Sequence, residues 1–488
     1  MSPGESHGEA VARVPLGLVS ALGAILLSSC AAPPKSAVDA QPAPVAATWD
    51  AAEQTPAGGD GEALVENWLD DFDAPGLVAM VRIALENNYD LRATAARLNI
   101  AEADAGVAGS ARLPVISANA GASRRRVNTE VTTADVDRRT GEVSTDTEVQ
   151  RSFRNEFSLT ADLSWEIDVW GRLRNLTSAA LGEAQAAAAD YRGARLSLAA
   201  ETATGWFEIA ALRQQRDLAE ETAGNFRTAQ NVIQRRYESG VSTALDLRLA
   251  RTQTESAAAT RWQREQQLDA AVRRFEILLG RYPAREAGLP EALPSIVRDV
   301  PVGLPSGLLQ RRPDLIAAER RLAAADKRVL AARKAFLPSF NLTASGGQSS
   351  PHLNSWLEDS WSVWNIAGNA VQPLFRGREL TANLERQRAR ARELLASYGQ
   401  TALRAFGEVE TALAAETLVR KRLGRLEASA AAASEAEVAA FNRYQRGLVE
   451  IVTVLEAQRR AFDARSAVID ARFALLENRV NLHLALGG

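Results

Sequence analysis

Cys30 and three histidines, His7, His352 and His483, are the only thiol and imidazole groups in the chain. One cysteine cannot close an internal disulfide or build a multi-thiolate metal site, and it needs a neighbouring base to act as a catalytic nucleophile. The carboxylates are numerous but have no histidine or cysteine cluster to work with, and the chain contains no HExxH, GxSxG, P-loop or GxGxxG pattern. No catalytic residue, metal site or cofactor is therefore expected. The chemistry left to Cys30 is set by what precedes it. Leu16 to Leu27 form an apolar core too short to span a bilayer, and the small residues Ser28 and Ser29 follow it. That is the layout of a signal peptide over 1–29, with a thiol immediately beyond the small residues.

Leu27-Ser28-Ser29-Cys30 resembles the bacterial lipobox, in which small residues suit the peptidase cleft and the cysteine sulfur takes a lipid. Ala31, in place of aspartate, implies among such lipoproteins release to the outer membrane. The alternative is a signal peptide with an incidental cysteine. A Pro/Ala-rich linker occupies 30–61. The formal net charge of −3 gives no reason to expect a nucleic-acid partner. Beyond the leader no run of 18 apolar residues occurs, which excludes a membrane-spanning helix and leaves membrane β-strands open.

The chain also resembles itself. Asp90 to Pro114 (DLRATAARLNIAEADAGVAGSARLP) aligns without gaps with Asp314 to Pro338 (DLIAAERRLAAADKRVLAARKAFLP), and 10 of 25 positions agree. Two further landmarks recur in the same order: DVWGRL against PLFRGREL, and RRYESGV (Arg235 to Val241) against NRYQRGL (Asn442 to Leu448). An internal duplication is expected, with a first repeat over 62–282, a Pro-rich linker over 283–303 and a second repeat over 304–488.

Each repeat has two hydrophobic periods. Leu173, Leu176, Ala180, Ala184, Ala187, Tyr191, Ala194 and Leu198 step by three or four, the stripe of one helix. A helix over 172–238 would be ~100 Å long, which implies coiled-coil packing. Gly240 turns the chain, and Thr243 with Asp246 reads as a capping box that opens a return helix. The second repeat follows with a helix over 376–445, a turn at Gly447 and a return helix from Ile451. Between the helices the period falls to two: Phe157, Leu159, Ala161, Leu163, Trp165, Ile167 and Val169 alternate with polar residues. Strands are expected near 114–125, 155–169, 339–347 and 363–372, with 126–153 as an external loop. Trp165 and Trp170 are expected at one membrane interface, and Trp356, Trp361 and Trp364 at the other.

Four membrane strands have two open edges, and unpaired peptide groups cannot be left in hydrocarbon. Copies of the chain must close the barrel. Two would give eight strands and a filled interior, whereas three would give twelve and a watery one. The polar face of 158–168 favours three. The expected fold is an α+β membrane protein, internally duplicated: a trimeric 12-stranded β-barrel, four strands per chain, joined to coiled-coil helical hairpins.

Taken together, the lipobox, the repeats, RRPDLIAAERRLAAA, RYQRGLVEIVTVLEAQRR and LPSGLLQRRPDL resemble the TolC-type outer-membrane efflux family, specifically its OprM/NodT lipoprotein branch. The resemblance implies a homotrimer whose barrel continues into a long α-helical barrel across the periplasm. It also implies partnership with a periplasmic adaptor and an inner-membrane pump of the RND type, within outer-membrane lipids. On the same ground, the turns at Gly240, Val241, Gly447 and Leu448 would dock the adaptor. Val452 and Glu456, four apart on one helix face, would form the periplasmic gate, although relatives usually carry aspartate at the acidic position. From the residues alone, the glycines are equally explained as helix C-caps, and Glu456 as a solvated acid paired with Arg459 or Arg460. Two other classes stay open: a lipid-anchored coiled-coil scaffold without a pore, and a surface lipoprotein enzyme.

Overall fold

The computed structural model describes residues 68–488 apart from 137, 140, 142, 286, 287, 289, 299–306, 356 and 357. After a short 3-10 turn at Trp68–Phe72, the helices α1 (Pro75–Asn87) and α2 (Tyr89–Ser110) lead into strands β1 (Val115–Val136) and β2 (Val143–Ile167). Then come α3 (Arg172–Glu238) and α4 (Ala244–Leu278). After the short α5 (Leu308–Arg311), the same order of elements follows: α6 (Pro313–Lys334), β3 (Ser339–Ser350), β4 (Ser362–Val371), α7 (Glu379–Gln445) and α8 (Ile451–Leu486). The two 67-residue helices α3 and α7 extend ~100 Å each. The capping box is formed: Asp246 N donates to Thr243 Oγ1 at 3.1 Å, and Thr243 N donates to Asp246 Oδ2 at 3.0 Å.

The four strands make one antiparallel sheet in the order β1-β2-β3-β4. Its register sorts the side chains by face, because directly opposed residues share a side. Ile116, Ala118, Ala120 and Ala122 oppose Leu163, Ala161, Leu159 and Phe157. On the same side β3 presents Phe340, Leu342 and Ala344, and β4 presents Trp364, Ile366 and Ala370. The other side carries Ser117, Asn119, Ser158, Thr160, Asp162, Asn341, Thr343, Asn365 and Asn369. Asn119 and Thr160 both donate to Asp162 there.

One expectation is corrected. Residues 126–153 are not a loop: β1 runs on to Val136 and β2 begins at Val143, continuing the ladder well past the top of β3 and β4. Polar composition suggested a loop, but Val127, Thr129, Val131, Thr132 and Thr133 are β-branched, and such side chains fit an extended ribbon.

Among the helices, alanine sets the spacing. Ala179, Ala184, Ala186, Ala189, Ala203 and Ala210 of α3 are buried, which lets neighbouring helices approach closely. At the largest core, Phe72, Leu77 and Val81 pack on Trp206, Phe207, Phe275 and Val480. The stripe read from the sequence is buried at Leu173, Ala184 and Leu198, whereas Leu176 is still 37% exposed. Arg479 of α8 is buried and donates to Glu416 of α7 at 2.6 Å. Burial raises the Glu416 carboxyl pKa, and hydrogen bonds from Arg479 and Arg420 outweigh it, so the net direction is downward. A group depressed in the folded state stabilises above its unfolded pKa, and that contribution fades as pH falls through the folded value. Thermal melts of the wild type should therefore lose stability below the ordinary carboxylate range. Glu416→Gln should cost about 3 kcal/mol at neutral pH by leaving Arg479 without its carboxylate, and should flatten that acid dependence. A wild-type melt and acid profile in this variant would dismiss the pair as a structural tie.

Candidate functional site

The features that could carry function gather at the tip of the helical hairpins. Helix α3 ends at Glu238, Gly240 takes φ 75°, and Val241 N donates to Arg236 O at 2.8 Å while Gly240 N donates to Tyr237 O at 2.9 Å. Helix α7 repeats this: Gly447 has φ 75°, Leu448 N donates to Arg443 O at 3.0 Å, and Gly447 N donates to Tyr444 O at 2.9 Å. Both are Schellman caps, in which a residue without Cβ takes the left-handed position and the freed carbonyls are satisfied. The residue after each glycine is thrown outward, leaving Val241 64% and Leu448 67% exposed.

The two tips lie side by side. Ile233, Ala250, Ala440, Tyr444, Ile451 and Val454 form one apolar cluster that joins all four helices at this end. The Arg236 guanidinium lies 5.0 Å over the Tyr444 ring. The repeated RY dipeptide thus serves two purposes: Tyr444 is buried between the hairpins, whereas Tyr237 is largely exposed. The sequence contained the dipeptide but not this asymmetry.

Val452 and Glu456, on the first turns of α8, both line an open groove of about 990 Å³ against Ala432, Ala433 and Ala436 of α7. Val452 is exposed. Glu456 accepts from Arg459 Nη2 at 3.0 Å and from Arg460 Nε at 2.8 Å, and Arg459 also reaches Asp463 at 3.3 Å. Hydrogen bonds first from Arg459 and then from Arg460 hold the Glu456 carboxyl below the usual carboxylate range. Within one chain, two guanidiniums and two carboxylates make this patch locally balanced in charge.

The RRPDL stretch has a structural role the sequence did not disclose. Buried Arg312 grips Asp314 with two hydrogen bonds of 3.0 and 2.8 Å, Glu408 of α7 at 2.7 Å and the Ala485 carbonyl near the end of α8 at 3.1 Å. It ties the start of α6 to both helices of the second hairpin. At the sheet's helical end, Trp165 Nε1 donates to Arg112 O and Trp170 Nε1 to Pro338 O. Near the other end of β4, Trp364 is exposed beside Trp361 in a short 3-10 turn. Cys30 and Trp356 lie outside the described residues. Among the described residues no helix is long and apolar enough to cross a membrane, and no group of acidic, histidine or cysteine side chains is placed to hold a metal.

A sheet apolar on one face and polar on the other, joined to ~100 Å helical hairpins, is the architecture of an outer-membrane channel protein. The model of the family described as outer membrane efflux protein matches residues 80–281 and 304–488, and the chain belongs to that family. It is 32% identical over 475 residues to the antibiotic efflux pump outer membrane protein ArpC of Pseudomonas putida, covering 96% of this chain and 94% of that one. It is 30% identical over 478 residues to the pyoverdine export outer membrane protein OpmQ of Pseudomonas aeruginosa, covering 97% and 96%. The solved outer-membrane channel OprN matches with a TM-score of 0.82 at 27% identity, over 94% of this chain and 99% of that one. The family's members are efflux channels of the outer membrane, transporters rather than enzymes.

Proposed function

We propose that three copies of this chain form the exit duct of a tripartite efflux pump. In this reading the internally duplicated chains close a 12-stranded barrel that continues into an α-helical barrel, and drugs or other small solutes pass through it. The observation that carries it is the register, which puts apolar side chains on one face and Ser, Asn, Thr and Asp on the other, in a sheet whose β1 and β4 edges have no partner among the described residues. A polar face is idle in a scaffold without a pore and useful in a water-filled lumen. ArpC is named for antibiotics and OpmQ for pyoverdine, so small organic solutes are the substrate class.

The tips at Gly240, Val241, Gly447 and Leu448 dock a periplasmic adaptor, which hands over solute from an inner-membrane pump of the RND type. Val452 and Glu456 line the periplasmic mouth, where threefold symmetry repeats each as a ring. Cys30 carries a lipid that anchors the mature chain, while the barrel supplies the main hold on the membrane. The test is the outer-membrane fraction of cells producing the chain. A detergent-resistant, heat-dissociable trimer that restores dye and antibiotic resistance to a deletion strain is expected; a monomeric, peripherally bound lipoprotein would favour the scaffold. Labelled palmitate should enter the wild type and not Cys30→Ser, which should still assemble when given a conventional signal peptide. Loss of every trimer in that variant would contradict the barrel as the main anchor.

A further inference from the structure

The β1–β2 ribbon continues beyond β3 and β4, and its first rungs above the shared sheet are basic on both faces, with three arginines on the side of the apolar face and two on the other. Because directly opposed residues share a face, the apolar side of the sheet can be followed upward: Ala122 opposite Phe157, then Arg124 opposite Asn155, Arg126 opposite Phe153 and Asn128 opposite Arg151. Arg124, Arg126 and Arg151 are exposed. Arg124 lies over the Phe153 ring at 5.1 Å, and among the described residues none of the three is in an ion pair with a carboxylate. At ~3.3 Å per residue, Arg124 stands ~7 Å along the strand from Ala122 and Arg126 ~13 Å. With the ~35–45° tilt of membrane β-strands, the rungs of Arg124, Arg126 and Arg151 rise ~5, ~10 and ~15 Å above Ala122, the first within the ~5–8 Å polar zone that flanks the hydrocarbon and the other two just above it. Arg125 and Arg154 oppose each other on the other face, away from the lipid side.

We infer that Arg124, Arg126 and Arg151, with Phe153 between them, form a belt that binds phosphate-bearing lipid headgroups of the outer leaflet. The inference rests on the channel reading, which sets the ribbon outside the cell and the apolar face toward lipid. The belt continues that face without a break, so what covers the apolar rungs also meets the basic ones. Planar guanidiniums take phosphate oxygens in pairs, and a phenyl ring beside them suits the boundary between acyl chain and headgroup. Two-stranded ribbons twist strongly, so only the rungs nearest the sheet keep this orientation, and these are the rungs that hold the three arginines.

The test uses the full-length purified trimer in neutral detergent micelles, titrated with lipid A and, separately, with the same glycolipid stripped of phosphate. The temperature at which the trimer dissociates on gels is the readout. Lipid A should raise it for the wild type and the phosphate-free lipid should not. A cation at a membrane surface contributes about a fivefold preference, so Arg124→Gln with Arg126→Gln and Arg151→Gln should need on the order of 100-fold more lipid A. The corresponding triple lysine variant should recover most of the response, and Arg125→Gln with Arg154→Gln should respond as wild type. If the triple glutamine variant fails to assemble, Arg126→Gln alone is titrated and should still need several-fold more lipid. Equal protection by inorganic phosphate, an unchanged response in the glutamine variants, or a loss matched by the Arg125 and Arg154 pair would each overturn the belt. Channel conductance of the same preparations separates the two failures: conducting trimers without lipid A discrimination defeat the belt alone, and non-conducting preparations defeat the channel reading and the belt with it.

Discussion

Val241→Glu combined with Leu448→Glu is expected to abolish efflux while leaving the trimer intact. Both side chains follow a left-handed glycine and project into solvent, so neither packs in the core that joins the hairpins. A charge there costs the fold little. In an adaptor contact, by contrast, each would be an apolar anchor, and loss of a central anchor costs ~2 kcal/mol or more before the penalty of burying a carboxylate is added. In the proposed trimer, three chains with two tips each would multiply that cost sixfold around the ring. Dye accumulation should rise to the level of the deletion strain, with detergent-resistant trimers unchanged on gels. Undiminished efflux in this double variant would remove the docking assignment and leave Gly240 and Gly447 as helix caps.

A second large effect is expected at the mouth. If Val452 and Glu456 form the gate proposed above, Val452→Ala with Glu456→Ala should raise single-channel conductance in planar bilayers, because a ring of valines would narrow the passage and favour dewetting. The same double variant should lose cation preference, and the structure sharpens why. Glu456 holds Arg459 and Arg460, so removing it releases two guanidiniums per chain. Arg459→Ala with Arg460→Ala should move selectivity the other way by freeing the carboxylate. Wild-type conductance and selectivity in both pairs, with trimers verified, would mark Glu456 as an ordinary surface acid on a coiled coil.

Much of this architecture is legible in the sequence because two periods differ so sharply. A stripe stepping by three or four from Leu173 leads to α3 at Arg172–Glu238, and strict alternation from Phe157 leads to the two-faced β2. Thr243 and Asp246 announce a cap whose two hydrogen bonds are both made. The hairpin above the sheet is harder to read, since Thr, Asp and Arg suit a loop or a solvated ribbon equally. Only pairing across the ladder, from Arg124 and Asn155 to Val136 and Val143, distinguishes them. Long-range ties were hidden for another reason. Arg312 meets Glu408 and Ala485, and Arg479 meets Glu416, across sequence gaps that no local spacing encodes. The balanced charge around Glu456 was visible as spacing, but its geometry required the helix to place both arginines on one carboxylate.

Closure of the ring by three chains is tested most directly by disulfide trapping across the open edges of the sheet. In a Cys30→Ser background carrying a conventional signal peptide, a cysteine at Asn365 of β4 is combined with a second one placed in turn at Ser117, Asn119 and Gly121 of β1, all on the polar face. After oxidation in intact outer membranes, the account predicts that one of these pairings gives covalent species ending at the mass of three chains, because β1 of each chain pairs with β4 of the next and the third contact closes the ring. Covalent species that stop at two chains, run on past three, or fail to form at any of the three positions would contradict a 12-stranded barrel.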